Sequence, residues 1–193
     1  MERIALPVSE ETIRELRAGD EVLVSGLMVT ARDTAHRYLI ETDDIETRTL
    51  LKDAMIYHCG PVVARDGGGF RFVAAGPTTS DREEPYEAGV IARYGVRGII
   101  GKGGMGARTL EALKSCGAVY LHATGGIAVL LARCVTAVKG VIKLEEFGVP
   151  EAIWIIEVKD FPAVVTMDSH GCSLHAGVLE TSQERLQELL STP

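Results

Sequence analysis

Residues 95–106 read GVRGIIGKGGMG, and they run directly into the helical pattern ARTLEAL at residues 107–113. A short apolar run therefore enters a glycine loop, and a predicted helix leaves it. Glycine lets the backbone adopt positive φ and lets a ligand approach the main chain closely. The free N–H groups at the start of a helix favour negative charge. Because Lys102 lies inside the loop, the stretch predicts a site for a small anion.

The same loop matches the dinucleotide fingerprint G-x-G-x-x-G over Gly101 to Gly106, after a predicted strand and before a predicted helix. That fingerprint also needs an acidic residue about twenty positions further on, which holds the ribose. Here the next predicted strand ends in His122-Ala123-Thr124 instead. The missing acid favours a carboxylate or a phosphate as the ligand, with a nucleotide-binding module as the alternative.

Composition narrows the class of protein. A chain of 193 residues with 46% hydrophobic and 24% charged residues suits one soluble globular domain. A formal charge of -7 argues against a nucleic-acid partner, because phosphate contacts need a basic face. The most apolar segment, 125–142, is interrupted by Arg133 and Lys139, so no membrane span is predicted. The first seven residues contain no apolar stretch long enough for a signal peptide, and we expect a cytoplasmic protein.

The cysteines do not form a metal-binding or cluster-binding motif. The four are scattered without a C-x-x-C pair, at Cys59, Cys116, Cys134 and Cys172. This spacing predicts free thiols in a reducing compartment. His170, Cys172 and His175 have the chemistry of metal ligands, but they flank a predicted hairpin turn, where alternate side chains point to opposite faces. We expect surface turn residues there, and satisfied interior histidines at His58 and His122.

Strand and helix patterns alternate along the chain, which predicts an α/β fold with some antiparallel pairing. Late in the chain, the pattern predicts a helix at 127–138 and two strands at 151–158 and 162–167, the second followed by a hairpin-type turn. Thr181 to Glu184 resembles a capping box for a final helix. The single tryptophan, Trp154, is expected in the core.

Four side chains at strand ends or helix starts suit one binding site: Arg32, Thr78 or its neighbour Thr79, Arg82 and Lys102. Ligands of α/β proteins bind at such positions. Three cations in one cleft would bind a doubly charged anion, and arginine recognises carboxylates with two hydrogen bonds. Position alone leaves alternatives, since Arg32 could pair with Asp33 or another acid, and the threonines could serve turn and cap chemistry.

Five segments in series resemble the C-terminal domain of class I, iron–sulfur fumarases, which is a separate β subunit in two-subunit enzymes. The segments are GLMVTARDTAH at 26–36, GPTTSDR at 76–82, GKGGM at 101–105, ATGG at 123–126 and LEEFGVPEA at 144–152. The likeness runs from about Val8 to Met167. L-tartrate dehydratase β subunits belong to the same family, so the resemblance is less specific for the substrate.

The resemblance implies a swivelling β/β/α domain, with a mixed sheet and surrounding helices, over residues 1–193. After Met167 the likeness fades, and residues 176–193 are expected to form an appended C-terminal helix. The implied activity is that of a hydro-lyase that interconverts fumarate and L-malate, with dehydration of L-tartrate to oxaloacetate as the alternative. A purely structural partner subunit is a third interpretation.

The resemblance also implies a division of labour between two chains. In the family, the [4Fe-4S] cluster is ligated by three cysteines of the α subunit, so this chain is expected to ligate no metal and to work in a hetero-oligomer. Arg32, Arg82 and Lys102 would hold the carboxylates of a small dicarboxylate. Thr78 would contact the substrate and act in proton transfer, which makes Thr78 and Lys102 the implied catalytic residues.

Overall fold

The computed structural model describes residues 1–42 and 45–191. Its strands are β1 (Glu2–Ala5), β2 (Glu21–Thr30), β3 (Met55–Tyr57), β4 (Val62–Asp66), β5 (Gly69–Ala74), β6 (Gly98–Gly101), β7 (Val119–His122), β8 (Val135–Ile142) and β9 (Ile153–Met167). Its helices are α1 (Glu10–Glu15), α2 (Asp33–Glu41), α3 (Ile45–Leu51), α4 (Glu84–Tyr94), α5 (Ala107–Cys116), α6 (Ala128–Arg133), α7 (Leu144–Phe147) and α8 (Leu174–Ser191). A 3₁₀ turn spans Ser80–Arg82.

Seven strands form one sheet in the order β1-β2-β3-β6-β7-β9-β8. Strands β1, β2, β3, β6 and β7 run parallel to one another, whereas β9 is antiparallel to β7, β8 and β2. Because β9 pairs with both β7 and β2, the strands β2, β3, β6, β7 and β9 close into a ring. The expected mixed sheet with surrounding helices is confirmed.

Alternate residues of the parallel strands pack into two separate cores. Met55 and Tyr57 point into the first core, inside the ring, together with Trp154, while Ile56 between them belongs to the second core. That second core lies under α2, α4 and α5, through residues such as Leu39. Both faces of β3 are therefore buried, which explains its continuous apolar run. Trp154 is fully buried, as expected from the sequence.

One predicted helix boundary is wrong. The pattern over 127–138 predicts a helix, but α6 ends at Arg133 and β8 begins at Val135. The segment that follows Arg133 is rich in valine, which favours strands. It also pairs antiparallel with β9 from Val135 to Ile142. Pairing with β9, which is distant in sequence, therefore makes residues 135–138 a strand although their local periodicity is helical.

The predicted pair of late strands is a single strand, β9, of 15 residues. Asp160 has a φ of 50° in the middle of β9, which bends the strand without ending it. Beyond β9, residues 168–171 form the expected hairpin-type turn, which is closed by an antiparallel bridge between Met167 and Ser173. Helix α8 then begins at Leu174, so the capping-box residues lie inside α8 rather than at its start.

Helix α8 contains no buried residue, and several of its apolar side chains are exposed, among them Leu186, Leu189 and Leu190. It begins two residues before the expected segment 176–193, of which residues 192 and 193 lie outside the described part of the chain. Within the described residues, no helix combines the length and the apolar character needed to cross a membrane.

Gly26 of β2 lies against the main chain of Leu6, and its replacement tests the importance of this close packing. Its φ is 116°, and a Cβ at this position would lie 2.6 Å from the carbonyl oxygen of Leu6. We expect Gly26→Ala to lower the free energy of unfolding by about 2 kcal/mol or more, because a strained backbone alone costs about 1–3 kcal/mol. Denaturant unfolding measures this change. Gly177→Ala in α8 is the control, since nothing lies within 4 Å of its added methyl group. An equal loss in both variants would contradict the packing argument.

Candidate active site

The ends of the parallel strands form a rim that carries the predicted site. Thr30 of β2 pairs with Tyr57 of β3, and Tyr57 pairs with Ile100 of β6. Arg32 and Lys102 each follow this row by two residues, so the register places both at the same height on one edge of the sheet. This is the edge at which α/β proteins bind ligands.

Thr78 lies between the ends of β3 and β6. Its N–H donates to the carbonyl oxygen of His58 at 2.7 Å, and its own carbonyl accepts from the N–H of Lys102 at 3.2 Å. The N–H of Ser80 then donates to the carbonyl oxygen of Lys102 at 3.0 Å. Thr78 is half-buried and Thr79 is exposed. The main chains of Thr78 and Lys102 are therefore directly joined at the rim.

Arg32 precedes α2 and is oriented by Glu151. Its Nη1 lies 3.3 Å from Oε1 of Glu151, whose Oε2 accepts from the N–H of Thr34 at 3.0 Å. Gly60 leaves room for the guanidinium, because a Cβ there would lie 2.6 Å from Nη1. The Nε of Arg32 is buried and has no hydrogen-bond partner. Arg32 thus pairs with an acid, although with Glu151 rather than its neighbour Asp33, and it keeps a donor free.

Arg82 lies in the 3₁₀ turn and pairs with Asp33, the residue after Arg32. Its side chain is 53% exposed. Because Thr79 forms a β-bridge with Lys102, the same turn also abuts the glycine loop. The rim therefore links the four predicted residues. The main chains of Thr78 and Lys102 are hydrogen-bonded to each other, and Arg82 pairs with Asp33, which follows Arg32. Their roles there stay predictions.

The N-terminus of α5 is already occupied. Oε2 of Glu84 accepts from the N–H of Gly106 at 2.8 Å and from the hydroxyl of Thr109 at 2.7 Å, and Oε1 accepts from the N–H of Thr109 at 3.2 Å. The sequence predicted free N–H groups at this point, but a carboxylate from α4 caps the helix. The positive charge of the loop consequently comes from the side chain of Lys102.

Steric contacts explain why glycine occupies position 104 of the loop. Gly104 has a φ of 79°, and a Cβ there would lie 2.5 Å from the ring of His175. Beyond the loop, a Cβ at Gly125 would touch the Lys102 side chain at 3.7 Å.

Each of the five family-like segments therefore reaches the rim. Three of them carry the predicted residues: 26–36 carries Arg32, 76–82 carries Thr78 and Arg82, and 101–105 carries Lys102. The other two contact these residues, since 123–126 packs on Lys102 and 144–152 holds Arg32 through Glu151.

Beneath the rim lies a group of polar side chains that the sequence did not predict. His36, His58 and Glu87 are all fully buried. Oε2 of Glu87 lies 3.1 Å from Nε2 of His36 and 2.9 Å from Nε2 of His58. Both distances are short enough for a hydrogen bond, although neither nitrogen meets the angular criterion for one, and each contact is an ion pair only where the ring is protonated. One signal was available, because Glu87 lies three and four residues before the buried Val90 and Ile91 of α4, on the face that a helix turns to the core.

The charges of this group follow from burial and from mutual contact. Burial would raise the pKa of Glu87, but the two histidines outweigh it and hold that pKa well below its usual range. Burial would lower the pKa of His36, but the Glu87 carboxylate outweighs it and raises that pKa. For His58, burial prevails and its pKa is lowered. Glu87 thus favours the charged form of His36, and the histidines favour the charged form of Glu87, whereas burial favours the neutral form of His58.

The two histidines that were expected to be satisfied interior residues each leave one ring nitrogen without a hydrogen-bond partner. His58 is fully buried, as expected, and its Nδ1 lies 2.8 Å from the hydroxyl oxygen of Ser80, but its Nε2 has no such partner. His122 was expected to be satisfied, but its buried Nδ1 has no hydrogen-bond partner, and burial lowers its pKa. His170 contacts Arg14, whereas His175 contacts Thr166.

Metal-binding capacity can be judged from the clustering of donor atoms. In residues 1–42 and 45–191, one group of three or more donors meets the spacing of a metal site, and it consists of His36, His58 and Glu87. No cysteine belongs to it. The four cysteines are free thiols, and within the described residues no three of them come together as the ligation of an iron–sulfur cluster requires.

Residues 1–178 match the family described as the fumarase C-terminus. This chain belongs to that family. Over 183 residues it is 51% identical to a putative class I fumarate hydratase of Geobacillus stearothermophilus. Over 186 residues it is 39% identical to a putative L(+)-tartrate dehydratase subunit beta of Methanocaldococcus jannaschii. Over 174 residues it is 38% identical to the L(+)-tartrate dehydratase subunit beta of Escherichia coli.

The lengths of these relatives differ. The aligned region covers 94% of this chain but 35% of the Geobacillus protein, so the chain spans about a third of that relative. In contrast, the alignments cover 95% of the Methanocaldococcus protein and 86% of the Escherichia coli protein. The chain therefore has the extent of the relatives that are named beta subunits.

Glu83 gives the site a measurable pH dependence. Burial, reinforced by the neighbouring Asp33, raises its pKa from 4.5 to about 8. Between these values the folded chain keeps a proton that the unfolded chain has lost, so this group lowers the free energy of unfolding as the pH rises, by up to about 1.4 kcal/mol per pH unit. We expect Glu83→Gln to flatten this decline, as measured by urea unfolding from pH 5 to pH 8.

Glu111→Gln is the matched control, because exposed Glu111 keeps its hydration in the folded chain. Parallel pH profiles for Glu83→Gln and the unmodified chain would show that Glu83 is ionised in the folded state.

Proposed function

We propose that this chain is the β subunit of a two-subunit, iron–sulfur hydro-lyase that hydrates fumarate reversibly to L-malate. The observation that carries the proposal is the meeting of Arg32, Thr78, Arg82 and Lys102 around one rim, supplied by the segments that resemble class I fumarases. Membership of the fumarase C-terminal family supports it. Relatives that are named beta subunits support a chain of the beta type.

The three cations act as a clamp for the two carboxylates of the substrate. Arg32 is held by Glu151 on one side and retains an unpartnered Nε, so it is oriented before a ligand arrives. Lys102 extends from a loop whose main chain is fixed on both sides of the residue. Arg82 is half-exposed and is the adaptable member. Arginine and lysine bind carboxylates through charge-assisted hydrogen bonds, which are about twice as strong as neutral ones.

Thr78 contacts the substrate and acts in proton transfer. A free hydroxyl is a weak base, so its surroundings must activate it. Thr78 is half-buried, and its carbonyl oxygen accepts from the N–H of Lys102, so in this proposal the Lys102 ammonium would turn toward the Thr78 hydroxyl when the substrate binds. A neighbouring positive charge favours the deprotonated form of such a group. Thr78 and Lys102 are accordingly the catalytic residues that this chain contributes.

The cluster belongs to the partner. Since the four cysteines of this chain are scattered and free, the three thiolate ligands come from a cluster-bearing α subunit in a hetero-oligomer. A bound iron with an open coordination position supplies Lewis-acid chemistry to hydro-lyases of this type. The part left to this chain is to bind the dicarboxylate, to orient it and to move a proton at the Thr78 hydroxyl.

A second substrate is supported by the relatives. The Methanocaldococcus and Escherichia coli relatives, which match this chain over most of their own length, are named L(+)-tartrate dehydratase beta subunits, the first of them as putative, although the more similar Geobacillus protein is named a putative fumarate hydratase. Dehydration of L-tartrate to oxaloacetate is therefore the alternative reaction. Binding of a nucleotide is less well supported, because Glu84 fills the helix N-terminus that a pyrophosphate would need.

Removal of single cations tests the clamp. In the enzyme assembled with its α subunit, we expect Arg82→Ala and Lys102→Ala each to lower kcat/KM by at least about a hundredfold, because each loses a charge-assisted contact and misplaces the substrate. Steady-state hydration of fumarate measures the effect. Lys159→Ala removes an exposed cation from β9 and should leave the kinetics unchanged. Near-normal rates in both clamp variants would rule out the clamp and favour a purely structural subunit.

Comparison of substrates decides between the two reactions. We expect a higher kcat/KM for fumarate than for L-tartrate with the assembled enzyme, and no turnover by the isolated chain, because the site is shared between subunits. A preference for L-tartrate would select the alternative reaction. Turnover by the purified chain alone would contradict the shared site.

A further inference from the structure

Five polar side chains form a continuous buried array beneath the rim. The hydroxyl of Tyr120 donates to Oγ of Ser80 at 2.9 Å, and this Oγ lies 2.8 Å from Nδ1 of His58. Nε2 of His58 lies 2.9 Å from Glu87, and Glu87 lies 3.1 Å from Nε2 of His36. All five side chains are fully buried. The catalytic proposal above uses none of them.

Counting donors and acceptors assigns the protons of the array. Since Tyr120 donates to Ser80, the Ser80 hydroxyl is free to donate to Nδ1 of His58, which leaves the proton of neutral His58 on Nε2, facing Glu87. At the other end, Nδ1 of His36 donates to the carbonyl oxygen of Arg32 at 2.9 Å. Nε2 of His36 then needs a second proton to face a carboxylate. The array holds one imidazolium and one carboxylate.

Stability alone does not account for this arrangement. Removing two charges from water costs several kcal/mol per ion, and a buried ion pair is often no more stable than apolar side chains of the same volume. The array lies in the protein interior, where a further acid, the fully buried Glu83, has its Oε2 4.0 Å from Nδ1 of His58. The charges therefore call for an explanation in terms of what the array touches.

The array is attached to the main chain at three points of the rim. His36 binds the carbonyl oxygen of Arg32 through both its Nδ1 and its own N–H, at 2.9 and 2.8 Å. The carbonyl oxygen of His58 accepts from the N–H of Thr78. The N–H of Ser80 donates to the carbonyl oxygen of Lys102. Three of the four predicted substrate residues are thus joined to members of one array.

We propose that Glu87 is a positioning residue, which holds His36 and His58 together and thereby sets the places of Arg32, Thr78 and Lys102 around the substrate. The expected effect on turnover rests on the proposed hydro-lyase function. Without the carboxylate, His36 has no counter-ion and His58 has no acceptor for its Nε2–H, so both rings lose the contact that fixes their distance. The carbonyl groups of residues 32 and 58 are then free to shift.

Glu87→Gln is the first test, because it keeps the shape of the side chain and removes its charge. In the assembled enzyme we expect kcat/KM for fumarate to fall by about ten- to a hundredfold per folded molecule, since a displacement of 1 Å in a substrate-positioning residue is enough to cost a hundredfold. Both a higher KM and a lower kcat are expected. Glu111→Gln, on the exposed face of α5, should leave both constants unchanged.

A merely structural role predicts another result, in which Glu87→Gln lowers the melting temperature but folded molecules keep the kcat and KM of the unmodified enzyme. That result would overturn the proposal. Ser80→Ala provides a milder variant that removes only the link between His58 and Tyr120. We expect it to lower kcat/KM by about threefold to tenfold, by the same positioning argument. Normal kinetics in Ser80→Ala together with Glu87→Gln would likewise overturn it.

Nuclear magnetic resonance of the full chain gives a readout that does not depend on activity. We expect the ¹⁵N resonances of His36 to report a doubly protonated ring at pH 7 and a singly protonated ring in Glu87→Gln. The amide resonances of Thr78 and Lys102 should shift in the same variant. Unshifted amides would refute the positioning role even if the enzyme hydrates no dicarboxylate, whereas inactivity with shifted amides would refute the proposed function alone. Stoichiometric zinc in the purified chain would overturn the ion-pair assignment and make the group a metal site.

Discussion

The pairing of β9 with β2 and β7 is the constraint on which the rest of the structure depends. One 15-residue strand pairs with β2 and with β7 and thereby closes the parallel strands β2, β3, β6 and β7 into a ring. Closure gives the parallel strands two buried faces and brings their carboxyl ends to one edge. Arg32 and Lys102 come from strands that are not neighbours, since β3 lies between them. Their common height on the rim therefore reflects the register of the sheet rather than proximity in sequence.

Much of the rim follows from local sequence, whereas the network below it does not. A strand followed by glycines and a helix is visible in the chain, so the placement of Lys102 and Arg32 at strand ends could be predicted. Glu84 and Glu87 both read as ordinary helix carboxylates. Only the packing of α4 against α5 turns Glu84 toward the N–H groups of Gly106 and Thr109, and only the packing against α2 brings Glu87 to His36. Contacts between elements carry this information, and periodicity does not report them.

Contacts between elements also explain why the predicted ends of α6 and β9 are wrong. Residues 134–138 continue a helical periodicity, but valines beside an open strand edge gain more from ladder hydrogen bonds with β9. Asp160 in β9 would end an isolated strand, yet β2 pairs with β9 both before and after the bend and keeps the chain extended. The five family-like segments are separate in sequence. The fold brings them to one rim, as the ion pair of Glu151 with Arg32 and the closeness of Gly125 to the Lys102 side chain show.

The ion pair between Arg82 and Asp33 has a consequence for selectivity. A carboxylate of the protein already sits on this guanidinium, so an arriving anion gains only the difference between two similar partners. In the proposed clamp, a monocarboxylate that engages Arg82 alone would replace one carboxylate by another and gain little. A ligand whose second carboxylate reaches Lys102 would gain a contact that displaces no acid. Under that proposal Asp33 would be an internal competitor that favours ligands able to bridge the rim.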